Sequence, residues 1–250
     1  MKRKMFGFTL FLLVTSAWAG TLRDNFDDGN LDGWRLFKGK VSGGGSIDES
    51  AEWFVENGEL VCISKEVCTF SSTFGTGDNT WKDYEFTCQF KVERTFILAG
   101  CSMPSFFGIG VRYSNTNGFI NGLDVGIWTK DGVWNGNLCE RFLQGGFHAH
   151  LPRVGTNLLI EQGKWYTGRI VADGNRYEMF INNTLICNVQ SDLPDTGAVA
   201  FLARNVEVHF DNVVITGDDI PDKNLGLPVE PKAKLATTWG RIKSNKGKVR

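Results

Sequence analysis

The stretch "GLDVGIWTKDGVW" (residues 122–134) holds two alternating runs around Asp131-Gly132, and a two-residue Asp-Gly loop favours a type I′ turn. That turn sets the register of a β-hairpin, with Lys130 opposite Val133 and then Thr129 opposite Trp134. Side chains alternate from there. Leu123, Val125, Ile127, Trp134 and Leu138 fall on one face, the composition of a core, whereas Asp124, Trp128, Lys130, Asn135, Asn137 and Arg141 share the other. Trp128 is the informative residue. A flat indole beside carboxylate, amide and guanidinium groups suits a sugar-binding surface, because the ring stacks on apolar C–H faces while the polar groups bond hydroxyls. A Trp covered by a loop or by a second sheet fits the same pattern.

Outward from the hairpin, period-2 patterning runs from residue 50 onward, with no 3.6-residue stripe longer than two turns. Strands are expected at "EWFVEN" and "GELVCIS" around Asn57-Gly58, at "DYEFTCQFKV" and "FFGIGVRY", and at "KWYTGRIVA" and "RYEMFIN" around Asp173-Gly174. "LICNVQ", "GAVAFLAR" and "VEVHFDNVVIT" complete the set. About 12 strands of ordinary length make two stacked sheets the natural solution. In "FFGIGVRY", Phe107, Ile109, Val111 and Tyr113 alternate with Gly108, Gly110 and Arg112. Glycines inside a strand mark close approach by a ligand or by another backbone, or a bulge or crowded packing that needs them. Arg112 joins the candidate ligand-binding residues on that face. "GFHAHLPRVGTN" reads as a long loop near the polar side of the hairpin, which adds His148 and His150.

The start "MKRKMFGFTLFLLVTSAWAG" combines a basic beginning, an apolar run and Ala17-Trp18-Ala19, the pattern of a secretory signal peptide cleaved after Ala19. The mature chain offers no further apolar run long enough to span a membrane, so a secreted, periplasmic or extracellular protein is expected. Residues 20–217 read as one β domain. Residues 218–250, with their Pro and charge content, read as a linker and a basic tail, disordered or a short docking element. The near-neutral total hides an asymmetry. The leader carries three of the 27 Lys and Arg, and residues 221–250 carry eight against two acidic residues, leaving 16 basic and 26 acidic residues in 20–220. Such a body argues against nucleic acid or anionic membrane and is compatible with neutral sugars or cations. All six cysteines follow the leader, an even number in an oxidising compartment, so disulfides are plausible without a fixed connectivity. Cys62 and Cys68 lie close across a turn; Cys88, in an alternating apolar run, suits a buried thiol equally well.

Three stretches together, "DNFDDGNLDGW", "WFVENGELV" with "WKDYEFTCQFKV", and "GAVAFLARNVEVHFDNVVITG", resemble the concanavalin A-like lectin/glucanase superfamily. More narrowly, they resemble its secreted laminin-G-like and 3-keto-disaccharide hydrolase-like (family 16 glycoside hydrolase-like) domains, over roughly residues 22–217. The resemblance implies an all-β, two-sheet antiparallel jelly roll whose first and last strands lie together and whose concave sheet takes carbohydrate. It also implies a structural Ca²⁺ where those strands meet, for which Asp24, Asp27 and Asp211 are the candidates. Asx-turn and capping roles fit the same three residues.

Hydrolytic chemistry is not legible. A retaining glycosidase needs two carboxyls about 5–5.5 Å apart, and the E-x-D-x-E pattern of the resembled glucanases is absent. "VEVHFD" sets Glu207, His209 and Asp211 on one face with a His in the middle, the look of a solvated face. Strict register pairs Asp124 with Cys139 and sends Glu140 to the opposite face, so an Asp124–Glu140 pair fails unless a bulge intervenes. Nucleophile-elbow, phosphate-loop and zinc-protease motifs are missing. The leading expectation is a secreted carbohydrate-binding module. Its alternatives are a glycoside hydrolase or lyase with an atypical acidic pair, and a structural or adhesive protein-binding module.

Overall fold

The computed structural model describes residues 19–40, 46–47, 51–65, 71–96, 100, 103–130, 133–143, 147–151, 158–193 and 195–225, and for Lys130, Asn135, Asn137, Glu140, Arg141, His148 and His150 it describes the backbone. The expected leader up to Trp18, the Asp131-Gly132 loop, Cys68, Cys101 and the tail from residue 226 lie outside the described residues. Within them the chain forms β1 (Gly20–Asp24), β2 (Trp34–Leu36), β3 (Gly39–Lys40), β4 (Ser46–Ile47), β5 (Ala51–Glu56), β6 (Glu59–Ser64), β7 (Ser72–Thr76), β8 (Tyr84–Thr95) and β9 (Phe106–Thr116). There follow β10 (Phe119–Lys130), β11 (Val133–Leu143), β12 (Phe147–His150), β13 (Trp165–Asp173), β14 (Arg176–Ile181), β15 (Thr184–Gln190), β16 (Ala198–Arg204), β17 (Val206–Gly217) and β18 (Lys223–Asn224).

These strands make two sheets stacked as a concanavalin A-like jelly roll. The first runs β15-β14-β13-β8-β17-β1-β18, with β6 also on β17 and β5 on β6; the second runs β12-β11-β10-β9-β16-β7-β2, with β3 on β10 and β4 on β3. Pairing is antiparallel except for β1 with β18 and β3 with β10. Among the described residues no helix is long and apolar enough to cross a membrane. The ends meet as the resemblance implies, Gly20 opposite Gly217 through to Asp24 opposite Val213. The sandwich continues past Gly217, because Ile220 is buried and β18 extends the sheet beside β1.

Local chemistry accounts for the hairpins. Asn57-Gly58 and Asn117-Gly118 have positive φ at both positions (53° and 78°, 54° and 83°), as does Asn182-Asn183 (44° and 66°), the conformation that Asn and Gly tolerate best. Alternation then sends every second residue inward, and β8 is a plain case: Tyr84, Phe86, Cys88, Phe90 and Val92 are buried while the residues between them are half-exposed. Aromatic rings fill the space between the sheets, with Phe201 on Phe210 at 4.0 Å and Phe90 on Phe107 at 4.8 Å between centroids. Trp34 stacks on Phe74 and Phe201, and its indole N–H donates to Asp24 Oδ2 at 2.7 Å.

Candidate functional site

On β10 the residues Leu123, Val125 and Ile127 are core, and Asp124, Gly126 and Trp128 alternate with them toward the outer face of the second sheet. Across the turn Trp134 is 3% exposed and its N–H donates to Thr95 Oγ1 at 3.0 Å. The expected register therefore holds at Lys130↔Val133 and Thr129↔Trp134. It then breaks. A bulge between Trp128 and Thr129 leaves Asn135 over and pairs Trp128 with Gly136, which reverses the parity of the rest of β11. Cys139, not Leu138, lies opposite Val125 in the core. Asn137 and Arg141 stand opposite the core residues Ile127 and Leu123, which removes them from the row of Trp128, and Glu140 comes opposite Asp124. Gly136 permits this arrangement: a Cβ there would lie 2.3–2.7 Å from Nε1, Cε2 and Cδ1 of Trp128, so the indole edge rests directly on its backbone.

The glycines of β9 have a structural occupant. A Cβ on Gly110 or Gly122 would meet the Tyr113 ring, and one on Gly108 or Gly126 would meet a backbone oxygen, of Val125 or Phe107, and then the Phe106 ring. Phe37 packs edge-on against Tyr113 at 5.3 Å, and with Ile120, Ala198, Ala200 and Leu202 these rings form a second small core on the outer face, against which Trp128 packs half-buried. Crowded packing thus explains the glycines. The Tyr113 hydroxyl donates to Asp124 Oδ1, and Asp124 is buried. Trp128 Nε1 is buried and meets no hydrogen-bond partner among the described residues.

Arg112 is not on this face. Its φ of +58° turns the side chain off the strand's alternation and into the interior, where it is 0% exposed. The guanidinium reaches Trp81 O at 3.4 Å, Gly174 O at 3.3 Å and Asp83 Oδ1 at 3.2 Å, and lies over the Tyr84 ring at 5.2 Å. Burial would raise the Asp83 pKa, but the Gly174 N–H and the Arg112 guanidinium outweigh it and hold the carboxyl below its ordinary value. The expectation of a ligand-facing Arg112 is corrected: it is a structural cation between the sheets.

His148 and His150 lie on a strand, β12, rather than in a loop, opposite Phe142 and Glu140. One row across the second sheet therefore reads His150, Glu140, Asp124, Gly110. Lys130 sits at the turn end of the same hairpin. The sequence missed Glu140 for this row, and also Tyr113; the adjacent Asn135-Gly136 pair was the available signal for a bulge.

The three expected calcium ligands serve other partners. Asp24 accepts from Phe26 N–H at 2.9 Å and from Trp34, Asp27 from Asn25 Nδ2 at 2.5 Å, and Asp211 from Asn212 N–H at 2.6 Å and its side-chain amide at 2.8 Å. Burial raises the pKa of Asp24 and of Asp211, and for Asp211 the nearby Asp27, Glu59 and Asp24 add to it. Among the described residues no three His, Cys, Asp or Glu side chains gather as a metal shell, and the hydrogen bonds of these three acids are those of Asx-turn and capping roles. A groove of about 430 Å³ beside it, lined by Arg23, Asn25, Asn212 and Asn224 among others, belongs to the first sheet and is remote from Trp128.

Residues 21–216 match the family model of the 3-keto-alpha-glucoside-1,2-lyase-like domain. The chain belongs to this family. No curated protein sequence matches the chain closely enough to count as a relative. Among solved structures, this 3-keto-alpha-glucoside-1,2-lyase-like chain is similar to the carbohydrate-binding module CBM66 from Bacillus subtilis, at 14% identity and a TM-score of 0.53 over 74% of this chain and 95% of that one. It is also similar to the Bacillus licheniformis beta-glucanase, at 10% identity and a TM-score of 0.53 over 79% and 97%. A Bacillus subtilis protein of unknown function with a galectin-like fold matches at 12% identity and 0.53 over 78% and 95%. At these identities the likeness is one of fold.

Proposed function

We propose that the chain is a secreted carbohydrate-binding sandwich that takes its glycan on the outer face of the second sheet, between Trp128 and Asp124. The carrying observation is the half-buried indole of Trp128 on the same face as an acid fixed by the Tyr113 hydroxyl. An aromatic ring next to a positioned acceptor suits a sugar's C–H face and its hydroxyls. The family's description names a glucoside, and the structural neighbours include a carbohydrate-binding module and a glucanase, which supports the substrate class.

One observation favours cleavage as a second reading. The bulge brings Glu140 opposite Asp124, and directly opposed residues on neighbouring strands have Cβ atoms about 4.5–5.5 Å apart, which puts two acidic residues at neighbouring positions of one row. The family is one of lyase-like domains. A glycan array that includes 3-keto-glucosides, run beside a product-release assay, separates the two. Binding without product, lost in Trp128→Ala, supports a module; product formation abolished by Asp124→Asn with binding kept supports an enzyme. No binding and no product on any glycan removes both.

A further inference from the structure

Two of the buried cysteines face each other across the sandwich. Cys139 lies on β11 of the second sheet opposite Val125, and Cys187 lies on β15 of the first sheet opposite Met179. Both belong to the main core, at 0% and 1% exposure, and their sulfurs are 2.8 Å apart. That separation is far inside an ordinary contact between sulfur atoms and only somewhat longer than a bond of about 2.0 Å. β11 and β15 come within 8 Å of each other between Cα atoms. Cys62 and Cys88 are equally buried, and burial pushes up the pKa of both thiols. The leader-like start would deliver the chain to a compartment where disulfides persist.

We propose that Cys139 and Cys187 form a disulfide that joins the two sheets when the chain meets a small disulfide oxidant of the glutathione type. One cysteine thiolate attacks a sulfur of the oxidant, giving a mixed disulfide and releasing one thiol. The second thiolate then attacks the protein sulfur of that mixed disulfide, forming the Sγ–Sγ bond and releasing the second thiol. Two electrons pass to the oxidant, and the two cysteine protons end on the released thiols. Because both sulfurs are shielded in the closed sandwich, the exchange belongs to folding, before the sheets close, or to a local opening of their edges.

The location gives the bond its effect. β15 is the edge strand of the first sheet, and β11 stands next to the edge strand β12 of the second. Edges have pairing partners on one side only and open first. A bond between residues 48 apart in sequence removes the freedom of a long loop from the unfolded chain.

The test uses the full chain refolded with oxidised glutathione, blocked with iodoacetamide in denaturant without reductant, and digested. The expected product is a linked peptide pair containing Cys139 and Cys187, lighter than the two thiol peptides by two hydrogens. Reductant should lower Tm by on the order of 10 °C. Cys139→Ala and Cys187→Ala should each abolish that reductant-dependent shift, while Cys62→Ala and Cys88→Ala retain it. If an alanine variant fails to fold, the peptide map of the unaltered chain decides alone. Full alkylation of both cysteines before reduction, or either one linked to a different cysteine, overturns the proposal.

Discussion

The outer faces of the two sheets are built on opposite plans. On the first sheet, Lys91 pairs with Glu93 at 2.8 Å and Glu59 at 3.4 Å and lies over the Trp165 ring. His209 stands between Glu59 at 2.6 Å and Glu207 at 3.6 Å, and Arg169 meets Glu85 at 2.9 Å. Charges there answer one another at the water boundary, where each pair contributes little and salt screens it. On the second sheet the same strand parity carries Phe106, Tyr113 and Trp128, with one buried acid. Phe106, Tyr113 and Asp124 are buried there, and Trp128 stays half-buried against them. One face is finished with paired charges, the other with packed rings.

The sharpest way to break this contrast is Arg112. If it were part of the aromatic face, Arg112→Ala would leave folding almost untouched; buried between the sheets, its loss should cost about 3–5 kcal/mol in chemical denaturation, because Asp83 and two carbonyls lose a shared partner. The two tryptophans of the hairpin come next. Trp134→Ala should cost about 3–5 kcal/mol of stability and Trp128→Ala about 1–2, while Trp128→Ala alone should remove about 1–3 kcal/mol of glycan affinity by titration calorimetry. Equal stability losses would place both rings in the core.

Smaller effects test the charged face. His209→Gln should change stability by less than about 1 kcal/mol and leave glycan affinity unaltered; a lost affinity would move the site to the first sheet. Asp211 works in the opposite sense from Asp83. Its raised pKa means that the folded state holds the proton more tightly than the unfolded chain, so the charged form costs stability above that pKa and the cost disappears as pH falls through it. Asp211→Asn should therefore raise stability at pH 7 by less than about 1 kcal/mol, with the gain fading on acidification through the carboxylate range. Chelation with EDTA should leave Tm unchanged, and a drop restored by added Ca²⁺ would reinstate a calcium site at Asp24, Asp27 and Asp211.

The all-β architecture was legible because a period of two in apolar residues has only one physical source, and the pairing of the ends came from the resemblance to concanavalin A-like domains. The faces of Trp128 and Trp134 were assigned correctly since both residues lie within three positions of the Asp131-Gly132 turn that sets the register. Beyond it, one extra residue inverted every later assignment on β11, and alternation alone cannot count residues that leave the ladder. Arg112 was illegible for a different reason: a left-handed backbone at an arginine contradicts local preference and is held by the surrounding cage of Trp81, Asp83, Tyr84 and Gly174. The glycines of β9 pointed to a close approach, and the rings that approach belong to the chain itself.

The position of β17 has a consequence for how the molecule comes into being. It is the last long strand, yet it lies at the middle of its sheet, with β8 on one side and both β1 and β6 on the other. Gly20 cannot find its partner until Gly217 exists. Contacts so distant along the chain make assembly slow and late. A polypeptide emerging from the ribosome N-terminus first therefore has no centre for its first sheet until residues 206–217 have been made.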